Sequence, residues 1–275
     1  RITPATRDRV QAAAAELGYR VNHLLAAWMS TRRRSVPVAS ATIAYVTGNP
    51  TRYGWRPPES DLPDFFPGAR ARAEAAGFKL EDFWLRERGM TPERFVGILH
   101  ARGIQGVIIG RLPGPYTTLL EYDWSSFSVV ALGISLAAPL FHRVRENHFL
   151  TASMAAARCH ERGFRRIGLV FDRVDDFGRM NDMWVGGFLS EQAKWPARHH
   201  RVPPFISPAV DRSRFHAWFR RHRPDVILVS QADPVRDWLA RARVRVPEDV
   251  GLVDLRCYDP QAGITGVHYD FKQTG

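Results

Sequence analysis

The sequence predicts an α/β fold of two similar Rossmann-like lobes, each a parallel sheet with helices on both faces. Short Val/Ile-rich runs alternate with helical patterns from about residue 42 onward. Several of these runs are continuously apolar, as in strands buried on both faces. Their spacing also repeats: a long interval followed by two shorter ones occurs in the first half and again in the second. At 275 residues the chain has the length of two ordinary domains.

The predicted strands of the first lobe are TIAYVT (42–47), FKLEDFWL (78–85), IQGVIIG (104–110) and SVVALG (128–133). Those of the second are RIGLVF (166–171), RVPPFI (201–206), DVILVS (225–230) and DVGLVDL (249–255). Helical patterns lie between them, among them DFFPGARARAEAAG, PERFVGILHARG, LTASMAAARCHERG and RFHAWFRRHR. FVGILHARGIQGVIIG parallels RFHAWFRRHRPDVILVS: each is an amphipathic helix running straight into a buried strand. Two such lobes side by side make a cleft, the usual ligand site of these folds.

Composition narrows the function. With 45% hydrophobic residues the chain has enough apolar surface for a core. The formal charge is +11, and only three of the 39 basic residues are lysines. Heavy arginine use fits either the base composition of a gene or an anionic partner. The location of the charge favours a partner at the front end. Residues 1–34 hold seven arginines against Asp8 and Glu16, or +5, as expected near phosphates. Cys159 and Cys257 stand far apart with no ligand-like spacing, which predicts no disulfide scaffold and no zinc site. No signal peptide is legible, and the apolar run VVALGISLAAPL (129–140) is too short to span a bilayer. The expected location is the cytoplasm.

The front end reads as a helix and a second, shorter amphipathic piece. Thr3 and Pro4 fit a helix start, Val10, Ala13, Ala14 and Leu17 form one stripe, and Gly18 fits its end. Asn22 fits the cap of the second piece, with Leu24, Leu25 and Trp28 on one face and Met29 beside them. Neither piece is stable alone.

Catalytic signals are weak. No GxxxxGK[ST], GxGxxG or GxSxG occurs. Gly186-Gly187 lies in a helical pattern and reads as close packing. His199-His200 is the only adjacent histidine pair and has no acidic or cysteine partner at metal spacing. Glu81 and Asp82 are strand neighbours pointing to opposite faces, a poor acid–base couple. No cofactor, metal or catalytic residue is expected.

TPATRDRVQAAAAELGYRVN resembles the end of the DNA-binding headpiece of the LacI/GalR (lactose-repressor) family of bacterial transcription regulators. That family's pattern is Ser/Thr-x-x-Thr-Arg-x-x-Val, then Ala, Leu-Gly-Tyr and Pro-Asn. Thr3, Thr6, Arg7, Val10, Leu17, Gly18, Tyr19 and Asn22 fit it. Further along, GARARAEAAGFKL, HARGIQGVIIG, CHERGFRRIGLV and VPEDVGLVDL are similar to the family's landmarks, in order. The resemblance covers nearly the whole chain. It implies the last helix of a helix-turn-helix headpiece and a hinge helix, then a two-lobed core like the type I periplasmic binding proteins. It further implies a homodimer on a near-palindromic operator, usually a repressor, with hinge helices in the minor groove and a small effector in the cleft. The expected division is 1–37 for the headpiece end, hinge and linker, 38–163 and 164–266 for the two lobes, and 267–275 for the start of a return crossover. The recognition helix would precede Arg1, and the tail completing both lobes would follow Gly275.

The same resemblance places site residues. Thr6, Arg7, Tyr19, Asn22, Trp28, Met29 and Arg32 are the expected DNA-binding residues. In the hinge, Val21 replaces the family's proline, Ala26 its arginine and Trp28 its leucine. Trp28 or Met29 is the candidate wedge into a base step, the alternative for Trp28 being packing on the core or a partner subunit. Arg32, Arg33 and Arg34 track phosphates or form a solvated linker. In the cleft, Gly187-Phe188 fits a family pair, but Trp184 stands where a sugar-clamping arginine is usual. Asn147, Asp233, Asp254, Arg256 and Tyr269 fall at or near other family positions. With Tyr53, Trp55 and Phe66 after the first strand, these predict an aromatic cleft suited to a sugar face, a nucleobase or an aromatic ligand, unless its own aromatics close it. The rival readings are a transporter's solute-binding protein and an α/β enzyme.

Overall fold

The computed structural model describes residues 41–60, 64–114, 117–172, 178–196, 201–207, 211–258, 263 and 265–275. The expected headpiece end and hinge, with Thr6, Arg7, Tyr19, Asn22, Trp28, Met29 and Arg32, lie outside them, as does His199-His200. Residues Thr42–Gly275 form one compact unit.

That unit holds two five-stranded parallel sheets. The first contains β1 (Thr42–Thr47), β2 (Lys79–Trp84), β3 (Gly106–Ile109), β5 (Ser128–Leu132) and β7 (His142–Val144), in the order β2-β1-β3-β5-β7. The second contains β8 (Ile167–Asp172), β9 (Phe205–Ser207), β10 (Val226–Val229), β11 (Gly251–Cys257) and β12 (Gly266–His268), in the order β9-β8-β10-β11-β12. Counting strands within each sheet, both follow the same second-first-third-fourth-fifth order. The repeated spacing of the sequence is therefore a repeated topology. A short pair, β4 (Thr117–Thr118) and β6 (Leu136–Ala138), lies apart from both sheets.

The apolar runs sort onto the two faces of each sheet by their period of two. On β1, Ala44 and Val46 enter a cluster with Phe95, Leu99 and Ile109, while Tyr45 enters another with Phe65, Leu80 and Leu132. On β10, Val226 and Leu228 pack with Trp184 and Phe188, whereas Ile227 and Val229 pack with Phe215 and Trp238. All four residues of β10 are buried, which is why its sequence lacks polar alternation.

The helices are α1 (Phe66–Ala75), α2 (Pro92–Ala101), α3 (His148–Glu161), α4 (Gly178–Gln192), α5 (Arg212–His222), α6 (Ala232–Arg241) and α7 (Phe271–Thr274). Side-chain caps start several of them. Thr91 accepts a hydrogen bond from the Arg94 N–H ahead of Pro92, and Asp211 accepts one from Arg214.

Three expectations need correcting. The run RVPPFI yields only Phe205–Ser207 as strand, because Pro203 and Pro204 cannot donate to a ladder. The edge strands β7 and β12 were not anticipated; each has three residues, mixed polarity and no buried position. Finally, α3 packs on the second lobe: Ala152, Ala155, Ala156 and Cys159 share a cluster with Ile167, Leu169 and Trp184. The change of lobe thus precedes α3 rather than following residue 163. Which sheet a helix covers is decided by tertiary packing, which its own periodicity does not encode. After β12 the chain returns to the first lobe, where α7 packs on α1 and the Phe271 ring lies 5.2 Å from that of Phe65.

Candidate functional site

In both sheets the connections diverge between the first and third strands, and ligands of such sheets sit beyond the carboxyl ends at that point. Several chemically active side chains lie just beyond strand ends, two of them at that point in the first sheet and the others farther along. Asn49 follows β1, Arg111 follows β3, Glu146 follows β7 and Tyr258 follows β11. Asp64 precedes α1, and Tyr45 lies on β1. The first lobe, the crossover and the second lobe each contribute.

Four of these groups, Tyr258, Tyr45, Glu146 and Asp64, act electrostatically on Arg111. Burial pushes its guanidinium pKa down, against the opposing influence of Tyr258, Tyr45, Glu146 and Asp64. Burial also raises the Glu146 carboxyl, opposed by its own backbone N–H, Arg111 and Arg145. The Asp64 carboxyl is raised for the same reason, against the Phe66 N–H, Arg56 and Arg111. Despite this proximity, Arg111 has no ion-pair partner among the described residues. Glu146 Oε1, Asp64 Oδ1 and Asn49 Oδ1 are buried without a hydrogen-bond partner among the described residues. Unanswered buried acceptors are costly, and a polar ligand is one way to satisfy them. Beside this cluster, Asp64, Tyr258, Tyr269, Pro57, Pro67 and His268 help line a cavity of about 350 Å³.

The residues expected in the cleft have varied placements. Tyr269 donates to Thr151 Oγ1 and lies 3.1 Å from His148 Nδ1. Asp254 is committed to the backbone: Oδ1 accepts from the Arg256 N–H at 2.7 Å and Oδ2 from the Ala232 N–H at 3.2 Å. Burial raises its carboxyl, partly offset by those two bonds. Arg256 donates from Nε to the Ser230 carbonyl, with its guanidinium 5.6 Å from the centre of the Tyr258 ring. Asn147 caps α3 by accepting from the Leu150 N–H. Asp233 is exposed and lies 3.5 Å from Arg236. Tyr53 is also exposed, under the Arg56 guanidinium at 4.4 Å.

The expected aromatic wall is absent at its two tryptophans. Trp184 is 1% exposed, stacked on Phe171 at 5.1 Å inside the second lobe. Trp55 is 3% exposed, packed 5.3 Å from both Tyr45 and the half-buried Phe66, with Nε1 donating to the Arg52 carbonyl. Burying such large rings in a lobe interior removes more apolar area from water than lining a cleft would. Arg111, Asp64, Glu146, Tyr45 and Tyr258 were not singled out in the sequence. The usable signal was position: Arg111, Glu146 and Tyr258 each lie within two residues of a strand's carboxyl end.

Glu81 pairs with Lys79 and Arg102 while Asp82 pairs with Arg52, so the two neighbours serve separate ion pairs. His148 is buried, and desolvation, reinforced by Arg145 and Arg256, lowers its pKa to about 4. Among the described residues no group of three His, Cys, Asp or Glu is placed to hold a metal ion. Among them also, no helix is long and apolar enough to cross a membrane.

Residues 156–275 match the family model of the periplasmic binding protein-like domain. No curated protein matches the sequence. Solved structures share its fold. A lac repressor bound to ONPG in the repressed state is 14% identical with a TM-score of 0.55, over 100% of this chain and 82% of that one. The complex of transcriptional regulator CelR with cellobiose is 19% identical with a TM-score of 0.56, over the same shares. A LacI transcriptional regulator from Lactobacillus brevis is 15% identical with a TM-score of 0.55, over 85% of this chain and 88% of that one.

Proposed function

From a chain that carries a periplasmic binding protein-like domain over residues 156–275 and has the fold of LacI-type regulators, we propose a DNA-binding transcriptional regulator whose core senses a small molecule. The observation that carries this reading is the polar cluster between two sheets of identical topology. A ligand held by Arg111 and Asp64 of the first lobe, Glu146 of the crossover and Tyr258 of the second lobe would touch both lobes. It would favour whichever lobe arrangement it binds more tightly, and only by that difference. The crossovers transmit the choice to the residues preceding β1.

In this reading the protein is a cytoplasmic homodimer and most simply a repressor. Thr6, Arg7, Tyr19 and Asn22 belong to the headpiece that contacts operator DNA. Trp28 or Met29 wedges into a base step, and Arg32 contacts phosphate. The periplasmic binding protein-like match also supports a second reading, a solute-binding protein, which needs the core but no DNA contact.

Operator selection from random duplexes with the full-length protein separates the two, read by anisotropy at two salt concentrations. An enriched near-palindrome, with binding lost in the double variant Trp28→Ala/Met29→Ala, supports the regulator. Weak, steeply salt-dependent binding without enrichment would leave only attraction of basic residues to phosphate, and the solute-binding reading would replace it.

A further inference from the structure

We propose that the amino end of the second sheet, the end away from the cleft, contacts the phosphate backbone of a nucleic acid duplex, with Arg220 and Arg221 of α5 among the residues that touch it. The proposal adds a second anionic contact to the DNA-binding reading above and stands whether or not the headpiece selects an operator.

The parallel topology brings these residues to one edge. Ile167 of β8, Val226 of β10 and Gly251 of β11 stand in one register row. The segments entering those strands therefore emerge side by side, at about 4.8 Å per strand. Hydrogen bonds tie the neighbours together. Arg166 donates from Nε to the His222 carbonyl at 2.9 Å, and the Asp225 carboxylate accepts from the N–H groups of Arg165 and Arg166. Trp218 Nε1 donates to the Pro203 carbonyl at 2.9 Å, which holds the segment before β9 against α5.

Positive charge collects at this edge. From the last turn of each helix to the next strand, the second lobe is entered through residues 158–166, 189–204, 219–225 and 238–250. Together these hold thirteen Arg and Lys against five Asp and Glu, and the segment before β12 adds only Asp259. The segments entering β2, β3, β5 and β7 of the first lobe, 72–78, 98–105, 119–127 and 139–141, hold two basic residues against three acidic ones. An arginine-rich composition, or the preference of helix C-termini for cations, would raise the charge of both lobes. The excess is confined to one.

Much of that charge is unanswered. Arg158, Lys194, Arg241 and Arg245 have carboxylate partners. The exposed Arg162, Arg220, Arg221, Arg223 and Arg243 have no ion pair among the described residues. Guanidinium forks match phosphate oxygens. A protein partner would need an apolar or aromatic centre, but of the exposed large hydrophobic residues only Leu189 falls in these segments. Abundant arginine with little apolar surface is the character of a nucleic acid interface.

The test measures binding of the full-length protein to a labelled duplex of random sequence, by anisotropy across a salt series. Arg220→Gln/Arg221→Gln is compared with Arg86→Gln/Arg88→Gln, which removes the same charge from exposed positions of the first lobe. None of the four side chains has an ion pair among the described residues, so both variants should melt with the parent. The front-end arginines contribute equally to all three proteins and drop out of the comparison. Each lost phosphate contact lowers the slope of log K against log salt by about 0.9, so the α5 variant should lose roughly 1 to 2 units and the first-lobe variant none. An unchanged slope in the α5 variant would overturn the proposal. An equal fall in both variants would overturn it too, by showing dependence on net charge alone. Polyglutamate that displaces the duplex at matched charge concentration, with the same dependence on Arg220 and Arg221, would assign the edge to an acidic protein instead. Failure of the parent to select an operator would sink the regulator reading and leave this comparison intact.

Discussion

The Nδ1 atom of His148 lies 3.1 Å from the Tyr269 hydroxyl, and this contact joins the two crossovers between the lobes. His148 opens α3 immediately after the first crossover, and Tyr269 follows β12 at the start of the second. The Tyr269 hydroxyl donates to Thr151 Oγ1 at 3.1 Å, and Thr151 donates to the Asn147 carbonyl at 3.1 Å. With Tyr269 donating to Thr151, the His148 contact requires the tautomer that carries its proton on Nδ1. Any change in lobe arrangement that separates the crossovers must break this chain.

Tyr269→Phe keeps the ring, 9% exposed, and removes the hydroxyl. His148 and Thr151 then lose a partner in a buried place, at a cost of about 1–3 kcal/mol. Urea unfolding of the variant should show a lower midpoint with an unchanged slope. A midpoint equal to that of the parent would mean that the chain of hydrogen bonds carries no net stability.

His148 also makes stability depend on pH. Its pKa is lowered to about 4 in the folded protein, against about 6.5 when unfolded. Between those values the unfolded chain takes up the proton and the folded one does not. Stability is therefore fully present above about pH 6.5 and falls as the pH drops towards 4, by an amount on the order of 3 kcal/mol. Asp64 and Glu146, whose carboxyls are raised by burial, act in the opposite sense, since protonation relieves their desolvation. The His148 contribution is isolated by comparing the parent with His148→Gln. The variant's stability should decline less between pH 6.5 and 4.5, and an equal decline would show that another group controls the acid limb.

The strands were readable where burial on both faces removed the need for polar residues, as in Val226–Val229, whose four positions are all buried. Edge strands such as His142–Val144, with no buried position, leave no such imprint. The cleft was less readable for a related reason. Trp184 and Phe188 lie four apart on α4 and face the interior, but helical periodicity shows only that they share a face, not what that face meets. Arg111 and Glu146 are single charged residues in loops, where charge is ordinary. Their distinction arises from convergence of separate strand ends in space, which pattern along the chain does not record.

Burial also sets the reactivity of the thiols. Cys159 and Cys257 are both buried, and desolvation pushes the Cys159 pKa up to about 11. Only the thiolate attacks disulfide reagents. Ellman's reagent at pH 8 should therefore label neither cysteine rapidly in the native protein and both in denaturant. Fast labelling of Cys159 under native conditions would show that α3 opens from the second sheet.

Two helical glycines should respond to alanine with opposite signs. Gly187 sits where α4 crosses α3, and a Cβ there would overlap the backbone carbonyl of Phe149. A main-chain oxygen cannot move aside as a flexible side chain can, so the helices must separate. That costs contacts in the cluster containing Ala152, Ala156, Trp184 and Phe188. Overpacking of this kind typically costs 1–3 kcal/mol, and Gly187→Ala should lower the melting temperature accordingly. Gly97, in the exposed part of α2, has nothing within 4 Å of the position a Cβ would take. Gly97→Ala should instead stabilise the protein by about 0.5–1 kcal/mol, because alanine loses less conformational freedom in a helix. Thermal unfolding of the two variants beside the parent checks both signs. A harmless Gly187→Ala would show that α3 and α4 do not approach so closely in solution, and the second lobe's packing would need revision.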